Sequence, residues 1–190
     1  MTKQPQRMNG KGPDSDLCFT PSYALLPILE LMPDHWKTIW EPAAGGGDMV
    51  KVFEAEGYNV ISGDIEEDFF KYTPPDYDVQ ITNPPFSKLE AWLNKSFLTN
   101  KPWALLLKHN IDSNQYAQIP FVRYGGVHKI VLNQRVDFKT VNTTFEESSG
   151  WFDVAWYLWP RDKWLLPETF ITTSLATLDK QWQPGQLRMF

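Results

Sequence analysis

The segment Tyr77-Asp-Val-Gln-Ile-Thr-Asn-Pro-Pro-Phe86 joins a strand pattern to a proline-rich turn. Val79 and Ile81 alternate with polar residues, a pattern typical of a β-strand. The two prolines end the strand, because proline lacks a backbone N–H donor and its ring fixes φ. The sequence therefore predicts a stiff turn at the C-terminal end of a strand, where open α/β sheets place their ligand sites. A strand end with no further role is the alternative at this point.

Composition and charge exclude several classes of protein. The chain has 190 residues, a formal net charge of −5 and one cysteine. No membrane span or signal peptide is predicted, and the single cysteine favours a reducing cytoplasm. The three histidines are scattered, so no metal site is predicted. The acidic net charge does not indicate a nucleic-acid binder, although a local basic patch can coexist with it.

Strands and helices alternate along most of the chain. Strands are predicted at 37–40, 58–63, 77–82, 102–109, 126–133 and 151–159, and helices at 22–32, 49–57, 87–98 and 112–118. This alternation favours an α/β fold with a mostly parallel sheet, and the short final connection makes the last strand antiparallel. Residues 1–15 are predicted to be a disordered tail. Residues 16–190 are predicted to form a single domain, with 160–190 as an extension of unassigned structure.

A glycine-rich turn follows the predicted strand at 37–40. Its sequence, Glu41-Pro-Ala-Ala-Gly-Gly-Gly47, lets a ligand approach the backbone closely, because glycine has no Cβ. It matches neither the P-loop nor Gly-x-Gly-x-x-Gly. We therefore expect a nucleoside-containing cofactor that is not held mainly by a pyrophosphate. A tight turn without a ligand is the alternative.

An acidic residue follows the next predicted strand at a spacing that suits a ribose ligand. Asp64 lies about 20 residues beyond the glycine turn, where an acid commonly accepts hydrogen bonds from a ribose diol. Ile65 is expected to pack on an adenine face. The acids that follow, Glu66 to Asp68, leave open a solvated acidic loop as the alternative.

The Asn-Pro-Pro-Phe turn has the groups that bind an exocyclic amine. Such an amine carries two N–H donors, and the Asn83 side-chain oxygen and the Pro84 carbonyl can both accept. Neither Pro84 nor Pro85 donates a competing N–H. Phe86 can stack on the ring, which is worth about 1–3 kcal/mol per base.

These segments together resemble the S-adenosylmethionine-dependent amino methyltransferases of nucleic acids. Asn83-Pro-Pro-Phe86 matches their (Asn/Asp/Ser)-Pro-Pro-(Tyr/Phe/Trp) motif, and Glu41 to Gly47 is similar to their cofactor motif. Phe19-Thr-Pro21 resembles the segment that folds back onto the methionine end of the cofactor. Asp64 fits the ribose ligand, and Asp68-Phe69 resembles the pair around the cofactor adenine.

The order of the motifs narrows the resemblance. The cofactor motif precedes the catalytic motif, as in the gamma arrangement, and residues 135–138 are similar to an Arg-x-x-Phe segment of short phage and prophage DNA N6-adenine methyltransferases. The resemblance covers about residues 16–159. The spacing of Asp64 and Asp68 is shorter than in the family. No separate target-recognition domain fits in the chain, so target contacts are expected from segments 109–125 and 134–150.

The resemblance implies a fold, a cofactor and a reaction. The fold is the Rossmann-like class I methyltransferase fold, with a mostly parallel seven-stranded sheet, an antiparallel last strand and helices on both faces. The cofactor is S-adenosylmethionine, the partner is DNA with RNA as an alternative, and the location is the cytoplasm, that of the host for a phage protein. The implied catalytic residues are Asn83, Pro84, Pro85 and Phe86. The implied cofactor-binding residues are Phe19, Thr20, Pro21, Glu41, Pro42, Ala43, Gly45, Gly47, Asp64, Ile65, Asp68 and Phe69.

Other substrates and a different class of protein stay open. Enzymes with the same tetrapeptide methylate guanine N2 of ribosomal RNA or a protein glutamine. A cofactor- or nucleic-acid-binding module without catalytic activity is the third alternative. The predicted reaction is site-specific transfer of a methyl group to adenine N6 in DNA, and cytosine N4 in DNA and the adenine N6 or guanine N2 amine of RNA stay open as alternatives.

Overall fold

A computed structural model describes residues 18–63, 67–72, 74–140, 153–166 and 173–185. Within these residues the strands are β1 Cys18–Phe19, β2 Thr38–Glu41, β3 Asn59–Ser62, β4 Val79–Thr82, β5 Trp103–Lys108, β6 His128–Leu132, β7 Lys139–Thr140, β8 Val154–Trp159 and β9 Thr173–Ala176. The helices are α1 Leu26–Leu29, α2 Asp48–Ala55, α3 Glu67–Lys71, α4 Leu89–Leu98 and α5 Gln115–Arg123. The predicted tail at 1–15 lies outside the described residues.

Seven of the described strands form one mixed sheet in the order β3-β2-β4-β5-β8-β6-β9. β8 is antiparallel to β5 and β6, and every other neighbouring pair is parallel. The predicted fold class, a mostly parallel Rossmann-like sheet with one antiparallel strand, is confirmed. The antiparallel strand is not the last in the chain. β9 follows it within the extension at 160–190 and pairs in parallel with β6, from Lys129↔Thr173 to Leu132↔Ala176.

Helices cover both faces of the sheet. Along β8 every residue is buried, and successive side chains join opposite faces because strand side chains alternate. Val154, Trp156 and Leu158 pack with α1 and α2 on one face. The other three residues of β8 pack with α4 and α5 on the other face.

Two predicted helix starts are wrong. The helix predicted at 22–32 is a 3₁₀ turn, Ser22–Ala24, followed by α1, and no side chain caps either one. Pro27 explains the break, because it has no N–H to donate and is tolerated only in the first turn of a helix. Ser87 is not the N-cap of α4, since it lies within a 3₁₀ turn, Phe86–Lys88, and Lys88 takes the cap position.

Part of the predicted loop at 134–150 pairs with the segment before the sheet. β7 and β1 form a small antiparallel sheet, with Cys18 opposite Thr140 and Phe19 opposite Lys139. Residues 141–150 lie outside the described part of the chain. Nearby, the Asp137 backbone N–H donates to the Tyr23 hydroxyl at 2.9 Å. These contacts fix the position of residues 18–23.

Among the described residues, no helix combines the length and the apolar character needed to cross a bilayer.

Candidate functional site

Two turns meet at the C-terminal edge of the parallel strands. β2 and β4 are parallel neighbours, with Ile39 opposite Val79 and Trp40 opposite Gln80. The glycine turn follows β2, and the Asn-Pro-Pro-Phe turn follows β4. Both turns therefore leave the sheet at the same edge, side by side, where α/β folds form ligand crevices.

A buried carboxyl group joins the two turns. Glu41 is 0% exposed, and its Oε1 accepts hydrogen bonds from Thr82 Oγ1 at 2.6 Å and from the Ala43 backbone N–H at 2.9 Å. Its Oε2 is buried and has no hydrogen-bond partner among the described residues. Burial raises the pKa of Glu41 from 4.5 to about 8, although both hydrogen bonds act to lower it. The free protein therefore holds this group mostly protonated at neutral pH.

The glycine turn also contacts the end of β3. The Ala44 N–H donates to the Gly63 carbonyl at 3.3 Å, and the Gly63 N–H donates to the Glu41 carbonyl at 3.1 Å. Gly47, just before α2, has φ +74°, a conformation that favours glycine. Asp64 follows Gly63 directly, but Asp64 and Ile65 lie outside the described residues, so their contacts with ribose and adenine stay predictions.

Phe19 covers the middle of the glycine turn. A Cβ built on Gly46 would lie 2.8 Å from Cδ1 of Phe19 and closer still to Cε1. Any side chain at position 46 would therefore require the Phe19 ring to move. Gly45 and Gly47 were predicted as ligand-binding glycines, whereas the need for Gly46 is set by Phe19, which is distant in sequence.

One polar atom of the Asn83 amide has a hydrogen-bond partner, and the other has none among the described residues. Its Nδ2 donates to Thr20 Oγ1 at 3.1 Å, and Thr20 is 3% exposed. Asn83 Oδ1 is buried and finds no donor in the part of the chain that the structure describes. A buried acceptor without a donor costs about 1–3 kcal/mol, so a ligand that supplies an N–H would bind here with a clear gain.

A lysine at the end of β5 lies next to the Asn-Pro-Pro-Phe turn. β5 is the parallel neighbour of β4, and Lys108 ends it. Its Nζ lies 5.4 Å from the centroid of the Phe86 ring, within the range of a cation–π contact. The contact depends on which strands are neighbours, and no short stretch of the sequence shows that order.

The segment after β5 is fixed by a small network. Lys129 Nζ donates to the His109 carbonyl at 2.6 Å and to Asp112 Oδ2 at 2.8 Å. The Tyr157 hydroxyl donates to the same carbonyl at 2.9 Å. These bonds hold the chain directly after Lys108.

Several predicted residues lie away from the crevice. Phe69 is fully buried and stacks on Trp92, with ring centroids 3.7 Å apart, so it is part of the core and not a wall of the crevice. The side chain of Asp68 is outside the described residues. Arg123, within the segment 109–125 that was expected to contact the target, ends α5 and precedes β6 closely, which places it at the opposite, N-terminal edge of the sheet. Two other predicted residues do lie next to the site: Pro21 is buried and follows Thr20, and Pro42 is buried and follows Glu41.

Comparisons with known proteins do not show a family for this chain. No family model matches the chain, and no curated protein matches it. A precorrin-6y C5,15-methyltransferase from Geobacter metallireducens GS-15 is a structural neighbour, with 13% sequence identity over 77% of this chain and 94% of that chain. Its TM-score is 0.41, and we base no inference on this similarity.

The raised pKa of Glu41 predicts a pH-dependent stability. Because the folded-state pKa of about 8 lies above the ordinary 4.5, the folded protein keeps a proton that the unfolded chain releases between these values. The contribution of Glu41 is therefore fully present below pH 4.5 and falls as the pH rises to about 8, by up to about tenfold in the folding equilibrium constant per pH unit. Glu41→Gln should remove this dependence and gain stability relative to the wild type as the pH rises.

Urea unfolding at pH 5 to 9 measures the difference between Glu41→Gln and the wild type. Glu90→Gln, at an exposed position of α4, is the matched control. A difference that stays constant across this pH range would show that Glu41 holds no extra proton.

Proposed function

We propose that this protein transfers a methyl group from S-adenosylmethionine to the exocyclic amine of a nucleobase, adenine N6 in DNA. The buried, unpaired Oδ1 of Asn83 in the Asn-Pro-Pro-Phe turn carries the proposal. It is an acceptor that lies beside a glycine turn suited to a nucleoside cofactor. The resemblance of the motifs supports the choice of cofactor and of adenine.

The residues at the glycine turn fit S-adenosylmethionine. Glu41 Oε2 has no partner among the described residues, and the ammonium group of the methionine moiety would donate to it once the carboxyl group has lost its proton. Asp48 already places a negative charge in the first turn of α2, where a phosphate would otherwise bind, which suits a cofactor that has none. Glu41, the glycine turn, Phe19 and Asp64 would hold the cofactor. When bound, it would supply an electrophilic methyl group whose bond to sulfur breaks as the new bond to nitrogen forms.

The Asn83 turn would position the amine and tune its lone pair. The Asn83 Oδ1 and the Pro84 carbonyl would accept its two hydrogens, which withdraws the nitrogen lone pair from the ring and exposes it for bond formation. Phe86 would hold the base plane by stacking. The extra proton on the product nitrogen leaves to water, so catalysis is mainly positioning and needs no histidine base.

Lys108 supports a nucleic acid as the substrate. An ammonium group that lies 5.4 Å from the ring on which the base stacks is close enough to the nucleotide to meet its phosphate. The base itself would be flipped from a duplex or taken from a single strand. A protein glutamine would offer the same amide donors, but neither a ring for Phe86 nor a charge for Lys108. The net charge of −5 favours a protein substrate instead, so unmodified protein is one of the substrate pools that are tested.

Substitution of Asn83 tests the proposal. Labelled S-adenosylmethionine is incubated with the protein and with separate pools of DNA, RNA and unmodified protein. Label should enter DNA, and Asn83→Ala should lower the rate at least about 100-fold, the usual effect of losing one preorganised hydrogen bond in a transition state. Cofactor affinity, measured by calorimetry, should change by less than about threefold, since Asn83 belongs to the turn that holds the base.

Asn94→Ala, an exposed asparagine on α4, is the matched control and should keep wild-type rates. Label in the RNA or protein pool alone would replace DNA with that substrate. Cofactor binding without transfer to any pool would identify a binding module, and full activity of Asn83→Ala would refute the role of the turn.

The salt dependence of binding tests the phosphate contact of Lys108. Lys108→Gln should reduce the slope of log affinity for an oligonucleotide against log salt by about 0.7–0.9, the contribution of one phosphate contact. Methyl transfer to free adenosine, which has no phosphate, should be unchanged.

Lys101→Gln is the control, because Lys101 pairs with Asp76 at 2.7 Å near the start of β5, at the opposite edge of the sheet. An unchanged slope for Lys108→Gln, or an equal loss on adenosine, would contradict the phosphate contact.

A further inference from the structure

We infer that Thr20 is a positioning residue that holds the Asn83 amide in the orientation needed to accept the substrate amine. The inference rests on the proposed function and deepens it. Its basis is the bond from Asn83 Nδ2 to Thr20 Oγ1 at 3.1 Å, together with the buried Oδ1, which has no donor among the described residues. The resemblance gave Phe19-Thr-Pro21 a place at the methionine end of the cofactor. It does not assign Thr20 a contact with the Asn-Pro-Pro-Phe turn.

An asparagine amide has two edges of opposite polarity and nearly the same shape. Oδ1 accepts two hydrogen bonds, whereas Nδ2 donates two. An amine that must be held by its hydrogens binds only when Oδ1 faces it. If the amide were rotated by 180°, Nδ2 would face the substrate amine, and two hydrogen-bond donors would oppose each other. The orientation of this one side chain therefore decides whether the site works.

Thr20 satisfies the donating edge of that amide. It is 3% exposed, so its hydroxyl meets Asn83 away from bulk water, where an unpaired amide N–H would be costly. While the hydroxyl engages Nδ2, the amide plane is fixed and Oδ1 remains available to the substrate. Without the hydroxyl, Nδ2 would lose the bond that the structure shows for it, and the amide would be free to turn.

The chain holds Thr20 from both sides. Before it, Phe19 pairs with Lys139 across the small β1–β7 sheet and its ring packs on Gly46. After it, Pro21 fixes the backbone at φ −68°. Tyr23 then bonds to Asp137 in both directions, as donor to Oδ2 at 3.2 Å and as acceptor from the backbone N–H at 2.9 Å.

This placement links the amide to parts of the chain that are distant in sequence. The glycine turn reaches Asn83 through Phe19 and Thr20, and residues 137–140 reach it through β1. A segment that precedes the sheet therefore contacts the turn expected to hold the cofactor and the turn expected to hold the base. Through this segment, a change at the glycine turn can alter the geometry of the Asn-Pro-Pro-Phe turn.

Three variants of one site and one control test the inference. Thr20→Val keeps the shape and removes the hydroxyl, Thr20→Ala removes it without any risk of a clash, and Thr20→Ser keeps it. Thr99→Val is the control, because the Thr99 hydroxyl bonds to the Ser96 carbonyl at 2.8 Å at the far end of α4. Thr20→Val and Thr20→Ala should lower kcat about 10- to 100-fold, which corresponds to the loss of one buried hydrogen bond.

The kinetic pattern separates positioning from a general loss of structure. Cofactor affinity of Thr20→Val should stay within about threefold of the wild type, and Thr20→Ser should restore kcat to within about threefold. In the Asn83→Ala background, Thr20→Val should have no further effect, because the two residues act through one bond. Additive losses in the double variant, or a failure of serine to rescue, would overturn the inference.

A second measurement does not need activity. The side-chain ¹⁵N amide signal of Asn83, assigned by its disappearance in Asn83→Ala, should shift and exchange faster with water in Thr20→Val. It should remain in place in Thr20→Ser and in Thr99→Val. An unchanged signal in Thr20→Val would refute the bond itself. This result decides the role of Thr20 even if the wild-type protein methylates nothing and the proposed function fails.

Discussion

The buried carboxyl group of Glu41 is the interaction on which the rest of the site depends. One oxygen accepts from Thr82, at the end of the strand that leads into Asn83, and from Ala43, in the glycine turn. The two turns are therefore fixed relative to each other by a single side chain. The cost is a carboxyl group in an apolar interior, with a pKa raised to about 8 and a second oxygen without a partner. A buried polar group without a partner calls for an explanation, and a ligand bound between the two turns is the one that we propose.

The central strands could be predicted because their information is local. β5 and β8 are buried on both faces and appear in the sequence as continuous apolar runs, and β2 and β4 precede turns that end them clearly. β9 could not be predicted in the same way. It is a strand because the edge of β6 accepts it, and Leu175 within it is 70% exposed, so no burial pattern marks it. The two-residue strands β1 and β7 likewise form because they pair with each other.

The candidate site was predicted as far as its motifs are contiguous. Glu41, the glycine turn and Asn83 each sit in a short segment whose chemistry is recognisable alone. Their partners were not predictable, because the contacts of Thr82, Thr20 and Lys108 follow from the order of the strands. Phe69 illustrates the opposite error: a local match suggested a cofactor contact, and stacking on Trp92 places the ring in the core.

The chemical identity of the methylated nucleoside shows whether the Asn83 turn holds a base amine. DNA is incubated with the protein and S-adenosylmethionine that carries a deuterated methyl group, then digested to nucleosides and analysed by mass spectrometry. The account predicts a deuterated methyl group on N6 of deoxyadenosine and on no other nucleoside. Label on a ring carbon, or no labelled nucleoside at all, would contradict the claim that the Asn83 turn holds a base amine for methyl transfer.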